Sequence, residues 1–284
     1  MTLRGFVCAG WLLLAGVASA TTGPADLAMT ADEVGILFLG DAGNGDEAQY
    51  AVARAMEAWC TDHRCDVVAY LGDNFYPVGV RSTDDPQWQT KFEQPYANLR
   101  LPFRPVLGNH DYYGHQQAQL KYRSDRWWMP ARFYHYEVGA GIVRMVGIDT
   151  QRFSGSQVDQ LRQAIETPTT AWTVVYGHYP VYSYGAHGGT AKLEKKLEPV
   201  LAGHAAFYLC GHEHDQQVIE APDGVVHIVS GGGGAETREV QDGPGALYSR
   251  EGHGFGHLTL TATAATVRMF DENGAVLFEK TWTR

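Results

Sequence analysis

The sequence predicts an α/β fold in which two sheets pack together. Three observations predict it. Short apolar, β-branched runs recur as far as Cys210, segments with helical apolar periodicity lie between them, and the chain from Val225 onward reads as successive strands. The first run, Val34–Leu39, is continuously apolar, as expected of a strand buried on both faces. Glu47–Trp59 follows, with Ala51, Val52, Ala55, Met56 and Trp59 on one helical stripe. Val67–Leu71, Arg104–Leu107, Val143–Ile148, Trp172–Tyr176 and Ala206–Cys210 repeat the pattern of the first run, and Ser156–Ile165 and Thr190–Leu201 read as further helices. Alternation of strands and helices is the signature of an α/β fold. Val225–Val229, His257–Thr263, Ala265–Phe270 and Ala275–Thr281 then read as strands, the last two joined by the turn Asp271-Glu272-Asn273-Gly274. These are expected to form a second sheet packed on the first. No internal repeat and no Pro- or Ser-rich linker divides the chain, so residues 21–284 are expected to form a single domain.

The first twenty residues predict export. Arg4 is their only charge, Trp11–Val17 is apolar, and Ala18-Ser19-Ala20 has the small-residue pattern of a cleavage site. The mature chain is expected to begin near Thr21, in the periplasm or the extracellular medium, with no membrane attachment after cleavage. Cys8 is too early to read as a lipid-attachment site, and Cys60 and Cys65 are close enough that an oxidising compartment would permit a disulfide. Cys210 ends an apolar run and reads as a buried free thiol. The net charge of −10 argues against nucleic-acid or anionic-membrane binding through a basic surface.

The chemistry lies just after the strands. Gly40-Asp41-Ala42-Gly43, Gly72-Asp73-Asn74-Phe75-Tyr76, Gly108-Asn109-His110-Asp111, Gly177-His178-Tyr179-Pro180 and Gly211-His212-Glu213-His214 each follow one of the apolar runs. Ligand sites in α/β sheets gather at the carboxyl ends of strands. Five strand ends thus project Asp41, Asp73, Tyr76, Asn109, His178, His212 and His214 toward one region. Carboxylate, phenolate, amide and imidazole donors suit iron, zinc or manganese. Seven side chains exceed one open catalytic site and match two ions sharing a bridging carboxylate, for which Asp73 is placed centrally. Two ions about 3.5–4 Å apart hold the attacking and leaving oxygens of an in-line displacement and acidify a water. His110, next to Asn109, is placed to protonate the leaving group. Each motif alone is weak, a Gly-Asp after a strand usually being a turn. It is the ordered set that carries the prediction. The run Gly231–Gly234 lacks the Lys-Ser/Thr continuation of a nucleotide P-loop and reads as a loop.

These residues resemble the calcineurin-like metallophosphoesterases, whose fold is an α-β-β-α sandwich, and within them the purple acid phosphatases. Most of the superfamily carries Asp-x-His in the first motif; here it is Asp41-Ala42-Gly43, and Tyr76 stands where the purple enzymes carry a tyrosine ligand. Gly72–Tyr76 with Gly79-Val80, Gly177–Ser183 with His187, and Ala118–Pro130 resemble the small, tartrate-resistant branch. The resemblance spans about residues 34 to 280. It implies a ferric ion on Asp41, Asp73, Tyr76 and His214. A second ion, iron(II), zinc or manganese, would lie on Asp73, Asn109, His178 and His212. It also implies hydrolysis of phosphate monoesters by metal-bound hydroxide, with His110 and His187 as substrate-contacting catalytic residues. Glu213 departs from the Asp often found between the last two histidines. His115 and His253 lie near glycines and are weaker candidates for the pocket edge; His63, His135, His204, His227 and His257 read as surface or structural. The rival functions are a phosphodiesterase or nucleotidase on the same core and a non-catalytic phosphate- or iron-binding protein.

Overall fold

The computed structural model describes residues 31–167 and 169–284. The expected signal segment and Cys8 lie outside the described residues. Two mixed sheets form the centre of the molecule. The first contains β1 (Glu33–Leu39), β2 (Val67–Tyr70), β3 (Phe103–Pro105), β11 (Gly254–Thr261), β12 (Ala264–Asp271) and β13 (Val276–Thr283). Its order is β13-β12-β11-β1-β2-β3, with β1, β2 and β3 parallel. The second has the order β10-β8-β9-β7-β6-β5-β4. It is built from β4 (Tyr134–Val138), β5 (Val143–Gly147), β6 (Trp172–Tyr176), β7 (Phe207–Cys210), β8 (Gln216–Glu220), β9 (Val226–Ser230) and β10 (Ala246–Arg250). Here β5, β6, β7 and β9 are parallel.

The continuous apolar runs are explained by this layering. In the second sheet, Val143, Met145, Val174, Tyr176, Phe207, Leu209 and Ile228 face the core between the sheets. Their neighbours Val146, Val175, Tyr208, Cys210 and Val229 face the helices, packing with Leu161, Leu193, Leu197 and Leu201. Both faces are dry, so neither set can be polar. On the other side, α1 (Glu47–Asp62) contributes Val52, Ala55 and Met56 to the core. Asp46 caps it by accepting the Gln49 N–H at 3.2 Å. Cys60 in its last turn and Cys65 past its end form a disulfide. The two sheets with helices outside them are the expected α-β-β-α sandwich. No helix among the described residues is long and apolar enough to cross a membrane.

Two expectations need correction. The C-terminal strands do not make a sheet of their own: β11, β12 and β13 extend the first sheet through β1, and Val226–Ser230 joins the second through β7. Strand partners are chosen by tertiary packing, which local pattern does not encode. The helix expected over Thr190–Leu201 is two short ones, Ala191–Lys196 and Glu198–Leu201, because Pro199 has no N–H to continue the ladder. Strands β4, β8 and β10 went unread, since their half-buried or polar residues make no long apolar run; buried Gln216 and Gln217 open β8.

His257 gives the fold an acid-sensitive point away from the strand-end motifs. Its ring is buried, with Nε2 3.0 Å from the Arg64 carbonyl. Burial lowers its pKa to about 4, below the ordinary histidine range. The unfolded chain therefore takes up a proton at His257 near pH 6.5 that the folded chain refuses until about pH 4. This contribution to stability is intact above pH 6.5 and is lost as pH falls through that window, about 2 kcal/mol between pH 7 and 5. Urea unfolding should show His257→Gln losing about 2 kcal/mol less than wild type over that interval; parallel losses would contradict this.

Candidate metal centre

The carboxyl ends of β1, β2, β3, β6 and β7 meet at one edge of the sandwich, so the first sheet supplies Asp41, Asp73, Tyr76 and Asn109 and the second supplies His178, His212 and His214. Local backbone marks the place. Among the described residues, only Asp41 (φ 58°), Asp73 (φ 50°) and His212 (φ 70°) are non-glycine residues with positive φ. All three are predicted ligands. Such conformations cost about 1–3 kcal/mol each and persist where surrounding structure enforces them. Here amides from other strand ends enforce them: Asp41 Oδ2 accepts the His212 N–H at 2.8 Å, and Asp73 Oδ1 accepts the His110 N–H at 2.8 Å. Close approach is possible because the neighbours are glycines. A Cβ on Gly211 would lie 2.3 Å from Asp41 Oδ2, and one on Gly108 would lie 2.2 Å from Asp73 Oδ1. Gly231–Gly234 is a buried loop, as expected; Gly233 donates its N–H to the Gly40 carbonyl at 3.1 Å and supports the Asp41 turn from below.

The seven side chains fall into two groups that share Asp73. In one, the Tyr76 hydroxyl lies 2.9 Å from both Asp41 Oδ1 and Asp73 Oδ2 and 3.1 Å from His214 Nε2. In the other, Asn109 Oδ1 lies 3.1 Å from His178 Nε2 and 3.1 Å from His212 Nδ1, while His178 Nε2 is 3.4 Å from Asp73 Oδ2. Ligand atoms of Asp41, Asp73 and His178, all buried, lie within 4.8 Å of one another. Two imidazoles are oriented from behind: His178 Nδ1 meets the Leu71 carbonyl at 2.9 Å and His214 Nδ1 the Glu236 carbonyl at 2.7 Å. A carbonyl only accepts, so each Nδ1 carries a proton and each Nε2 faces the cluster, where a bound cation would take its lone pair in place of a proton.

The electrostatics describe a place for cations. Burial works to raise Asp73, but the His178 charge and hydrogen bond, with help from His110, hold it down at about 2. Burial works to lower His178, and Asp73 and Asp41 raise it to about 9. His212 is depressed to about 2 by burial and by the imidazoles of His178 and His187. Burial, then the Asp41 and Asp73 charges, pushes the Tyr76 hydroxyl far above its ordinary range. A buried phenol clamped by two carboxylates yields its proton only to a strong positive charge. The oxygen-rich group around Tyr76 fits a hard trivalent ion, and the imidazole–amide group fits a divalent one.

The two predicted catalytic histidines flank these groups. His110 packs its ring 4.5 Å from that of Tyr76, with Nδ1 on the Pro77 carbonyl at 2.8 Å. His187 sits 4.8 Å from the His212 ring. A pocket of about 520 Å³ opens over Tyr76, His110 and His214, lined also by Asn44, Glu236, Thr237 and Arg238. His115 and His253 are not in its lining; His253 contacts the Ala235 carbonyl instead. Several site residues escaped the sequence reading. Arg238 donates to the His212 carbonyl at 3.3 Å, and buried Asp111 accepts the Asn74 and Gly108 N–H groups and the Gln119 amide. Asp111 was in view within Gly108-Asn109-His110-Asp111, but its supporting role depends on Gln119, which no local pattern connects to it.

Comparison with known proteins agrees with the geometry. Residues 34–216 match the calcineurin-like phosphoesterase family, to which the chain therefore belongs. It is 33% identical to the tartrate-resistant acid phosphatase type 5 of Oryctolagus cuniculus over 248 residues, 74% of this chain and 76% of that one. It is 30% identical to purple acid phosphatase 3 of Arabidopsis thaliana over 281 residues, 86% of this chain and 76% of that one. Within the family it groups with the purple acid phosphatases of the small, tartrate-resistant type, and the chain is a metal-dependent phosphoesterase by that kinship and its buried Asp-Asp-His trio. In fold alone it is also similar to GAP50, the anchor in the inner membrane complex of Plasmodium, with a TM-score of 0.82, 24% identity and 89% of each chain covered.

Proposed function

We propose that the protein is an exported acid phosphatase, hydrolysing phosphate monoesters at a pair of ions, Fe(III) with iron(II), zinc or manganese. One observation carries the reading: two donor groups share Asp73, and the imidazoles beside them are oriented by backbone carbonyls. Asp41, Asp73, Tyr76 and His214 would hold the ferric ion; Asp73, Asn109, His178 and His212 would hold the other. When bound, the pair supplies positive charge for the phosphoryl oxygens and acidifies the attacking water. The protein's own part is to hold the donors, admit the ester through the pocket over Tyr76 and His110, and protonate the leaving oxygen. The His110 Nδ1 contact with the Pro77 carbonyl fixes that nitrogen as a donor and leaves Nε2 for the ester. Cleavage near residue 20 would leave residues 21–284 as one working domain. Among the described residues, no paired clamp for a second ester group lines the pocket, which favours monoesters over diesters.

Metal analysis with an optical spectrum tests the centre, and an aryl phosphate compared with its bis-aryl diester tests the substrate class. About two ions per chain and faster monoester turnover are expected. Fewer than one ion per folded chain, after iron and zinc are offered, would end the proposal. Tyr76→Phe should remove the visible absorption band while the far-ultraviolet circular dichroism stays unchanged. A band that survives would assign it to another residue.

A further inference from the structure

We propose that Glu213 is a positioning residue that fixes His187 beside the metal centre through a buried carboxylate–imidazole pair. The catalytic consequence rests on the function proposed above; the geometry stands without it. Glu213 is fully buried between His212 and His214, and both its oxygens serve the same histidine. Oε1 accepts the His187 N–H at 2.7 Å, and Oε2 lies 3.2 Å from His187 Nδ1. Among the described residues no Lys or Arg pairs with Glu213; the basic side chain within 4 Å of its carboxylate is His187. A carboxylate removed from water with no cationic neighbour is costly unless its lone pairs are satisfied by donors, and these donors come from the loop. It therefore holds His187 as the Nδ1–H form, with Nε2 the free ring nitrogen, although the side chain is 48% exposed.

The loop around it is built for this contact. In sequence His187 lies in the Gly-rich stretch Tyr184–Gly189. In the fold, a Cβ on Gly185 would lie 2.4 Å from Asp215 Oδ2 and 2.7 Å from Glu213 Oε2, so the backbone rests directly on the buried carboxylates and only glycine fits. Tyr184 donates its N–H to Gln217 Oε1 at 2.8 Å, and Gly185 bridges to Val240. The length of Glu matters here. An Asp at this position would withdraw the carboxylate by about 1.5 Å. That exceeds the slack in a hydrogen bond and would forfeit the ring contact.

The test uses the full metal-loaded chain. Glu213→Gln keeps an oxygen for the His187 N–H but turns an amide NH2 toward Nδ1, which cannot accept from it. For phenyl phosphate, kcat/KM should fall about tenfold or more, with bound metal and Tm unchanged. Because Glu213 acts through His187, the double variant Glu213→Gln/His187→Ala should be no more than about twofold slower than His187→Ala alone. A double variant slower by the full Glu213→Gln factor overturns the proposal, and so does metal loss that accounts for the lost activity. Imidazole 15N shifts of His187 in the zinc-loaded protein give a reading independent of turnover. A single hydrogen-bonded Nδ1–H form in wild type, lost in Glu213→Gln, is expected; an averaged pair of tautomers in wild type overturns it. Should wild type show that signature and yet hydrolyse no monoester, the proposed function fails and the positioning geometry remains.

Discussion

Asp73→Ala is expected to lower kcat by at least about a thousandfold and to release bound metal. No other side chain is shared by the two donor groups. Its Oδ2 meets the Tyr76 hydroxyl at 2.9 Å and His178 Nε2 at 3.4 Å, so its removal disrupts both donor groups, and with them both proposed ion sites, together. Its Oδ1 also takes the His110 amide, which ties the β3 turn carrying Asn109 to the β2 turn. Loss of one carboxylate thus removes charge, a bridge and a strut. The measurements are turnover of an aryl phosphate and metal content per chain. Normal turnover, or two ions retained, would refute the bridging assignment.

Gly108→Ala should be nearly as damaging although it deletes nothing. Its φ of −102° suits any residue, so backbone strain is not the cause. The added Cβ would lie 2.2 Å from Asp73 Oδ1, which is held by the His110 N–H, and 2.3 Å from Asp73 N, which is backbone. Either the Asp73 carboxylate or the β3 turn must shift. Overpacking of this kind costs about 1–3 kcal/mol, and a displacement near 1 Å at a reacting centre costs about a hundredfold in rate. We expect kcat to fall at least about a hundredfold, metal stoichiometry to drop, and urea stability to decline by about 2 kcal/mol. Gly155→Ala is the control. A Cβ there meets nothing within 4 Å, and stability and activity should be unchanged. Equal behaviour of the two variants would remove the steric argument.

Much of this site was legible before the fold because its chemistry is local. Each donor follows a buried strand within a few residues, and a glycine marks where backbones crowd, so Gly72-Asp73 or Gly211-His212 could be read in one dimension. Glu213 shows where that reading stops. In sequence it looked like a mild departure between two ligands. In the fold it satisfies a histidine 26 residues away. Asp111 and Arg238 escaped for the same reason, since their partners Gln119 and His212 come from other segments. The disulfide between Cys60 and Cys65 stayed open until the geometry joined them.

The sequence by itself determined most of the element types, the dryness of both faces of the second sheet's central strands, and the seven candidate donors with their order along the chain. Apolar periodicity and residue chemistry are properties of neighbours, so they survive without a third dimension. Only the tertiary structure decided which sheet β11, β12 and β13 would join, which donors would share Asp73, and that the His187 loop is pinned. Those outcomes depend on contacts between residues far apart in the chain, whose free energies exist only once the two sheets have packed.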